Sequence, residues 1–320
     1  MLDGFQRNID YLRISVTDRC NLRCVYCMPE EGVNWLPHEE ILSYEEIIRL
    51  ARIFAGLGVS RIKVTGGEPL VRKGLASLVQ GLRAIDGIEE VTLTTNGLLL
   101  AGQLPALLAA GITGVNISLD TLDEDTFRRI TRREGVERVL SAIDACLSAG
   151  LRTKVNCVPV ARSADLLALA ELARERPLSV RFIELMPIGL GKELAGRDER
   201  ALRALLEGTY GPLTPYEGKL GNGPCRYFTL PGFQGKIGFI SSMSHQFCSQ
   251  CNRVRLTAGG FLKTCLQYDQ GVELRPLLGG SDEDLAEAIA AAILHKPAAH
   301  QFSKNSVDDG ESRIMSQIGG

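Results

Sequence analysis

The sequence lacks a strong charge excess and any long apolar run. Its 320 residues contain 36 Lys and Arg against 38 Asp and Glu, which gives a net charge of −2. A protein that binds nucleic acid over a broad surface is expected to carry a clear basic excess, so this class is excluded. No apolar run approaches the roughly 18 residues that a membrane span requires, and we therefore expect no membrane segment.

The amino terminus lacks the pattern of a secretory leader. MLDGFQRNID has no basic stretch followed by an apolar one, and we expect a cytoplasmic chain. In that compartment the nine cysteines should stay reduced unless they hold metal. The hydrophobic fraction of 45% and the charged fraction of 23% are typical of a globular protein, which excludes disorder.

Up to about residue 187, short β-branched runs alternate with helical patterns. Strands are predicted at 11–17, 61–67, 90–96, 114–120, 151–158 and 178–185. Helices are predicted at 43–58, 72–85, 100–110, 136–149 and 164–175. The first of them starts with Ser43 and Glu46 in capping-box positions. Six βα units imply a parallel sheet, and right-handed crossovers coil such a series into a complete or partial barrel.

The sequence changes character after this region. Residues 188–224 are rich in Gly and Pro and predict a connection around one short helix. Short strand candidates and a capped helix from Ser281 follow. We therefore predict two domains, a partial barrel with its connection at 1–224 and an α+β domain at 225–320.

Three cysteines, Cys20, Cys24 and Cys27, follow the first predicted strand in the spacing C-x3-C-x2-C. Barrels carry their chemistry at the carboxyl ends of their strands, and this loop lies at such an end. Three thiolates can hold three irons of a [4Fe–4S] cluster and leave the fourth iron open to a ligand. The alternative is a zinc site completed by His38 or another residue.

A second group, Cys248, Cys251 and Cys265, has the spacing C-x2-C-x13-C and also has no fourth cysteine nearby. A zinc ribbon with one ligand missing is one interpretation, and a second cluster with an open iron is the other. The remaining Cys146, Cys157 and Cys225 are interpreted as small buried residues.

Several motifs together resemble one known family. CNLRCVYC and VTGGEPL resemble the signatures of radical S-adenosylmethionine (SAM) enzymes. With YLRISVT, LTTNG, NISLD, RFIELMPIG, FCSQCNRVRLT and the terminal Gly-Gly, they resemble the GTP 3′,8-cyclase family of molybdenum-cofactor biosynthesis over nearly the whole chain. The resemblance implies an incomplete (βα)6 TIM-type barrel whose open side is closed by a C-terminal α+β domain.

The resemblance also implies the cofactors and their contacts. Two [4Fe–4S] clusters would each be held by three cysteines, the first binding SAM and the second meeting the guanine of GTP. SAM contacts are implied for Tyr26, Gly66, Gly67, Glu68, Ser118 and Met186. In this interpretation the tyrosine contacts adenine, the glycines allow close approach of the methionyl group, and the glutamate accepts from its ammonium.

GTP is strongly anionic, and a nearly neutral chain must gather its cations locally. The resemblance and the strand positions together imply GTP contacts from Arg13, Lys63, Thr94, Lys154, Arg181, Arg253 and Arg255. Lys63 departs from the arginine that is usual in the family, so bidentate phosphate contact at that position is in doubt. Gly319 and Gly320 are expected inside the active site in support of catalysis. Arg128, Arg129, Arg132 and Arg133 are expected on the solvated surface.

The activity implied is the radical cyclisation of GTP to (8S)-3′,8-cyclo-7,8-dihydroguanosine 5′-triphosphate. The implied partners are a flavodoxin-type electron donor, the downstream cyclic pyranopterin monophosphate synthase and a homodimer mate. Two alternatives remain, a radical SAM enzyme that modifies peptides with an auxiliary cluster, and a zinc-binding protein without catalysis.

Overall fold

The computed structural model describes residues 1–218, 220–302, 311 and 313–319, and its centre is one sheet of twelve strands. The strands are β1 (Tyr11–Ser15), β2 (Arg61–Thr65), β3 (Glu90–Thr95), β4 (Gly114–Ser118), β5 (Thr153–Cys157), β6 (Ser179–Ile183), β7 (Thr214–Pro215), β8 (Arg226–Thr229), β9 (Lys236–Ile240), β10 (Arg253–Leu256), β11 (Phe261–Lys263) and β12 (Gly271–Glu273). Their order across the sheet is β12-β11-β10-β1-β2-β3-β4-β5-β6-β9-β8-β7, and the sheet is open.

The six predicted strands form the parallel middle of this sheet, as expected for an incomplete (βα)6 barrel. The C-terminal strands join both of its edges. On one side β10 pairs in parallel with β1, and on the other β9 pairs in parallel with β6. Antiparallel β11 and β12 continue the first edge, and antiparallel β8 and β7 continue the second. The predicted fold class is confirmed.

The described residues form nine helices, and most of them pack against the outer face of the sheet. They are α1 (Tyr44–Gly56), α2 (Leu75–Arg83), α3 (Leu100–Ala109), α4 (Glu124–Thr131), α5 (Val136–Ser148), α6 (Ser163–Glu175), α7 (Glu199–Tyr210), α8 (Asp282–Leu294) and α9 (Met315–Ile318). The capping box that begins α1 is present, since Glu46 N donates to Ser43 Oγ over 3.1 Å and Ser43 N donates to the Glu46 carboxylate over 2.6 Å. The sequence did not predict α4, which begins with Asp123 as its N-cap.

Alternation along the strands separates an apolar outer face from a polar inner face. On β2, Ile62 and Val64 are buried in the core against the helices. Lys63 lies between them and therefore points to the inner side of the sheet, where it lines a cavity. The same alternation puts Arg13 and Lys154 on the inner face. This pattern explains why charged residues occupy strands that otherwise form the core.

No helix in the part of the chain that the structure describes is long and apolar enough to cross a membrane.

Candidate active site

The loop with the first three cysteines begins after β1 and is held by main-chain hydrogen bonds. Cys27 N and Met28 N donate to the carbonyl of Cys24 over 2.9 and 3.1 Å. The guanidinium of Arg23 donates to the carbonyl oxygens of Cys20 and Leu22 over 2.7 and 2.8 Å. The loop is thus folded into a compact turn, and all three thiols line one open cavity.

The carboxyl end of α4 fixes this loop from outside. Arg23 N and Val25 N donate to the carbonyl oxygens of Thr131 and Ile130, both over 2.9 Å. These are carbonyls that a helix end leaves without intrahelical partners. Arg132, in the left-handed conformation at φ 58°, donates to the carbonyls of Arg23 and Met28 over 2.9 and 3.2 Å. The expectation that Arg132 belongs to the solvated surface is wrong, because its guanidinium supports the cysteine loop.

Burial sets the protonation of the three thiols. It raises the pKa of Cys20 to about 11 and that of Cys27 to about 12, and it raises the pKa of Cys24 well above the usual value. Thiolates at this site therefore require a cationic partner such as iron.

In the described residues, no three or more His, Cys, Asp or Glu side chains are placed to hold a single metal ion together. A cluster, in contrast, takes each thiolate on a different iron. The donor chemistry of the loop fits a cluster.

Gly66 and Gly67 allow the turn after β2 to contact the start of the cysteine loop. Gly67 N donates to the carbonyl of Thr17 over 2.7 Å. A Cβ added at Gly67 would lie 2.4 Å from the carbonyl oxygen of Arg19, and one at Gly66 would lie 2.7 Å from that of Thr17. Both glycines also line the cavity. Their missing side chains therefore serve backbone packing against residues 17–19, a role the sequence did not indicate.

Glu68 is buried and lines this cavity. Its carboxylate accepts from Thr95 Oγ1 and Asn96 N over 2.7 Å each, and from Leu70 N over 3.0 Å. Burial nevertheless raises its pKa to about 7. An ammonium group placed beside it would favour the ionised carboxylate.

Tyr26 connects the cysteine loop to the end of β4. Its hydroxyl donates to the Asp120 carboxylate over 2.7 Å, and Val158 N donates to the other carboxylate oxygen over 2.8 Å. Burial raises the pKa of Asp120 to about 6. Asp120, in the NISLD motif, and Asn96, in LTTNG, are site residues that the sequence did not predict. A polar residue directly after a barrel strand was the available signal.

The structure places most of the predicted cofactor and substrate residues on the same cavity. Among the predicted residues, it is lined by Arg13, Cys20, Cys24, Tyr26, Cys27, Gly66, Gly67, Glu68, Thr94, Ser118, Met186, Arg253 and Arg255. A second cavity, here called the deeper cavity, reaches the amino-terminal end of β4 at Gly114 and shares Arg13, Thr94 and Arg253 with the first. Lys63, Lys154 and Arg181 line this deeper cavity.

The deeper cavity concentrates positive charge. Burial together with the neighbouring arginines lowers the pKa of Lys154 to about 7 and that of Lys63 well below its usual value. Burial also lowers the pKa of Arg13 to about 10. The Arg181 guanidinium donates to Asn156 Oδ1 over 2.9 and 2.5 Å. Buried cations that repel one another are stabilised by an anionic ligand.

The second three-cysteine group lies beside the cavity. Cys248 begins a short 3-10 turn, Cys251 comes two residues before β10, and Cys265 comes two residues after β11. Because β10 and β11 pair antiparallel, the ends that carry Cys251 and Cys265 meet at the open end of the hairpin. This explains the thirteen-residue spacing. None of these three cysteines is among the residues that line the two cavities, but their neighbours Phe247 and Arg253 are.

The pKa values of two cysteines in this group, Cys248 and Cys251, shift in opposite directions. Burial raises the pKa of Cys248. Burial would also raise that of Cys251, but the charges of Lys296 and Arg253 outweigh it and lower the pKa. Three thiol donors with cations beside them suit an anionic iron–sulfur centre.

The described part of the C-terminal tail folds back into the site. Met315 and Ser316 line the main cavity, and Arg255 Nη1 donates to the carbonyl of Gly319 over 2.8 Å. Gly319 has φ 82°, and an added Cβ would lie 2.9 Å from Ser15 Cβ. A glycine is therefore required there. The other predicted tail residue, Gly320, lies outside the described residues.

Two family models match this chain. The Radical SAM superfamily matches residues 14–163, and Molybdenum Cofactor Synthesis C matches residues 178–302. Among solved structures, Streptococcus suis SuiB bound to S-adenosylmethionine shares the fold at a TM-score of 0.63 and 14% identity, covering 90% of this chain and 68% of SuiB. The open parallel sheet and the three-cysteine loop after its first strand thus define a protein of the radical SAM class.

Relatives that match over their full length identify the family within this class. The GTP 3′,8-cyclase of Moorella thermoacetica is 48% identical over 335 residues, and that of Clostridium perfringens strain 13 is 42% identical over 324 residues. The alignments cover all of this chain and all of each relative. The chain belongs to the GTP 3′,8-cyclase family.

Proposed function

We propose that this protein is a GTP 3′,8-cyclase, a radical SAM lyase of molybdenum-cofactor biosynthesis, and that its two adjoining cavities hold SAM and GTP. The chemistry is the cyclisation of GTP to (8S)-3′,8-cyclo-7,8-dihydroguanosine 5′-triphosphate. The observation that carries the assignment is the placement of buried cations on the inner face of the sheet, next to the cavity of the first three cysteines.

The first cluster is assigned to Cys20, Cys24 and Cys27, with SAM beside it. When bound, the cluster and SAM supply the electron and the carbon radical that begin the reaction by taking hydrogen from C3′ of the GTP ribose. The substrate radical at C3′ would then add to C8 of guanine. One electron, supplied from the proposed flavodoxin-type donor, and one proton from solvent would complete the product. Glu68, buried on the same cavity, is the acceptor for the ammonium of SAM.

GTP is assigned to the inner face with its phosphates toward the deeper cavity. Lys63, Lys154 and Arg181 lie there, and each adds a cation where three phosphates bring about four negative charges. Arg13 and Arg253 line both cavities. In this placement they lie where the triphosphate is attached to the ribose. This arrangement fixes the ribose near the SAM cavity, and productive hydrogen transfer needs the reacting atoms within contact distance.

A second [4Fe–4S] cluster is assigned to Cys248, Cys251 and Cys265, with its open iron toward the guanine. Support comes from three thiol donors in one region and from the cationic Lys296 and Arg253 next to Cys251. Arg255, which lines the main cavity, donates to the carbonyl of Gly319, and through this contact the tail is proposed to support catalysis. We further propose a cytoplasmic location, a flavodoxin-type electron donor, transfer of product to a cyclic pyranopterin monophosphate synthase, and a homodimer.

The test is an anaerobic incubation of iron-reconstituted protein with dithionite, SAM and GTP, followed by mass spectrometry. We expect both 5′-deoxyadenosine and a cyclised product of GTP. Cys24→Ala should abolish both, whereas Cys146→Ala, which changes a buried cysteine in α5, should retain both. If 5′-deoxyadenosine forms while GTP is unchanged, the substrate assignment is wrong and a peptide substrate becomes the next candidate. Zinc without iron or sulfide in the anaerobic protein would contradict the enzyme assignment.

A further inference from the structure

The amino-terminal segment contacts the second three-cysteine group through one buried arginine. Arg7 is 7% exposed, and its Nη1 donates to the carbonyl oxygen of Cys248 over 2.8 Å. The same nitrogen donates to the carbonyl of Ala298 over 2.8 Å, and Nη2 donates to that of Pro297 over 2.7 Å. A single guanidinium thus binds carbonyls that lie 241 and 290 positions after Arg7 in the chain.

Asp3 holds this guanidinium in one orientation. Its carboxylate is 2.6 Å from Arg7 Nε and accepts from the main-chain N–H of Arg7 over 3.0 Å and of Phe5 over 2.9 Å. Asp3 is 1% exposed, so the ion pair is shielded from water. Breaking one partner of such a buried pair leaves an uncompensated charge. The planar donor fork of arginine is also matched to several fixed acceptors in a way that lysine is not.

Lys296 extends the contact from Cys248 to the other two cysteines. It is 3% exposed, and its carbonyl lies 3.5 Å from Arg7 Nη2. Its ammonium donates to the carbonyl of Thr264, the residue before Cys265, and it also interacts with the Cys251 thiol. Arg7 and Lys296 therefore contact the main chain or thiol at or next to each of the three cysteines.

The loop itself offers little internal support. Around Cys248 the main chain forms only a single 3-10 turn, Cys248–Gln250. A short turn of this kind has poor hydrogen-bond geometry and does not by itself fix side-chain directions. The support for the thiols of this group therefore comes from contacts outside the turn. These are the contacts of Arg7 and Lys296 and the hydrogen bond that His300 N donates to Cys248 Sγ over 3.5 Å.

We propose that Arg7 and Lys296 are positioning residues for the second three-cysteine group, and that residues 1–7 are consequently part of its site. The inference rests on the proposed second cluster. Their two positive charges also offset the negative charge of three thiolates, which favours assembly of the anionic centre and its reduction. Neither residue is expected to contact SAM or the first cluster.

The experiment compares anaerobically reconstituted full-length variants by iron and sulfide content and by electron paramagnetic resonance of the reduced protein with and without GTP. Wild type should hold about eight irons, as two [4Fe–4S] clusters require. Arg7→Gln should retain about four, lose the part of the spectrum that responds to GTP, and still cleave SAM to 5′-deoxyadenosine. Arg7→Lys should fall between the two.

Arg49→Gln is the matched control. Arg49 also binds an aspartate, Asp282, and two main-chain carbonyls, those of Leu278 and Gly280, but it ties α1 to the start of α8. It should keep about eight irons even if its unfolding midpoint falls as far as that of Arg7→Gln. Should Arg7→Gln fail to fold, Lys296→Met provides the same comparison and should lower the occupancy and reduction potential of the second cluster alone.

Full iron content and an unchanged GTP-sensitive spectrum in Arg7→Gln and Lys296→Met would overturn the inference. Equal loss of both clusters in Arg7→Gln and Arg49→Gln would also overturn it, because the effect would then be general instability. If wild type itself holds only about four irons, the second cluster of the proposed function fails instead.

Discussion

Lys154 should make GTP binding take up a proton at mildly alkaline pH. Burial and the charges of Arg181 and Arg152 lower its pKa to about 7, so above that pH most of the free protein has a neutral lysine at this position. A triphosphate in the deeper cavity would favour the ammonium and return the pKa toward its ordinary value of 10.5. Binding must then draw a proton from solvent.

The size of the effect follows from that shift. At pH 8 a lysine with pKa 7 is about 90% neutral, so binding should take up about 0.9 proton through this residue. The dissociation constant should rise about fivefold between pH 7 and pH 8, since the charged fraction falls from about one half to about one eleventh. Raising the pH therefore weakens binding. Lowering it below 7 can strengthen binding through Lys154 by at most about twofold, since about half of these lysines are already charged at pH 7.

Isothermal titration calorimetry of GTP into SAM-loaded protein, without reductant, checks this. Titrations at pH 8 in two buffers of different ionisation enthalpy report the protons taken up. Lys154→Arg keeps a permanent charge and should lower the uptake by nearly one proton. The exposed Lys192→Arg is the control and should leave the uptake unchanged. Equal uptake in wild type and Lys154→Arg would refute the reasoning.

Three further outcomes are expected. Gly67→Ala should cost about 1–3 kcal/mol of stability and lower the iron content of the first cluster, since its Cβ would meet backbone carbonyl oxygens 2.4 and 2.5 Å away. Gly102→Ala, in α3 with nothing within 4 Å, should lower neither the stability nor the iron content. Glu68→Gln should raise the dissociation constant for SAM at least tenfold. In SAM-free protein, burial raises the pKa of Glu68 from 4.5 to about 7, so the free energy of unfolding falls as the pH rises through this window. Urea unfolding should show that this fall is about 3 kcal/mol smaller in the variant. Glu311→Gln removes the charge that pairs with the fully buried Lys263. The variant should form less cyclised GTP while it continues to cleave SAM. A product yield equal to that of wild type would count against a role for this contact between the tail and β11.

Local sequence patterns were sufficient to predict the parallel half of the fold. Alternation around Lys63, between the buried Ile62 and Val64, identified a strand with one polar face. The capping box at Ser43 identified the start of α1. The same reasoning missed α4, because Phe127 and Ile130 are the only large apolar residues in its eight positions. Two apolar residues are too few to establish a helical repeat.

Long-range contacts account for what the sequence could not predict in the site. Arg132 and Arg7 look like ordinary charged residues, and their partners lie about a hundred or more positions away. The backbone role of Gly67 was not predictable either, since its φ is ordinary and only the approach of residues 18 and 19 shows why a side chain is excluded. The cysteine spacings, in contrast, were local and directly readable.

The pairing of β10 with β1 bears on how this protein matures during synthesis. β1 is synthesised before the other strands, but its partner β10 is about 240 residues further along the chain. The outer partner of β6, β9, is about 57 residues after β6. Until the last third has left the ribosome, the nascent sheet has two unpaired edges, which are templates for aggregation. Contacts of such high sequence separation also slow folding. We expect chaperone dependence to end only when both edges are paired, and cluster insertion to be most efficient after that point.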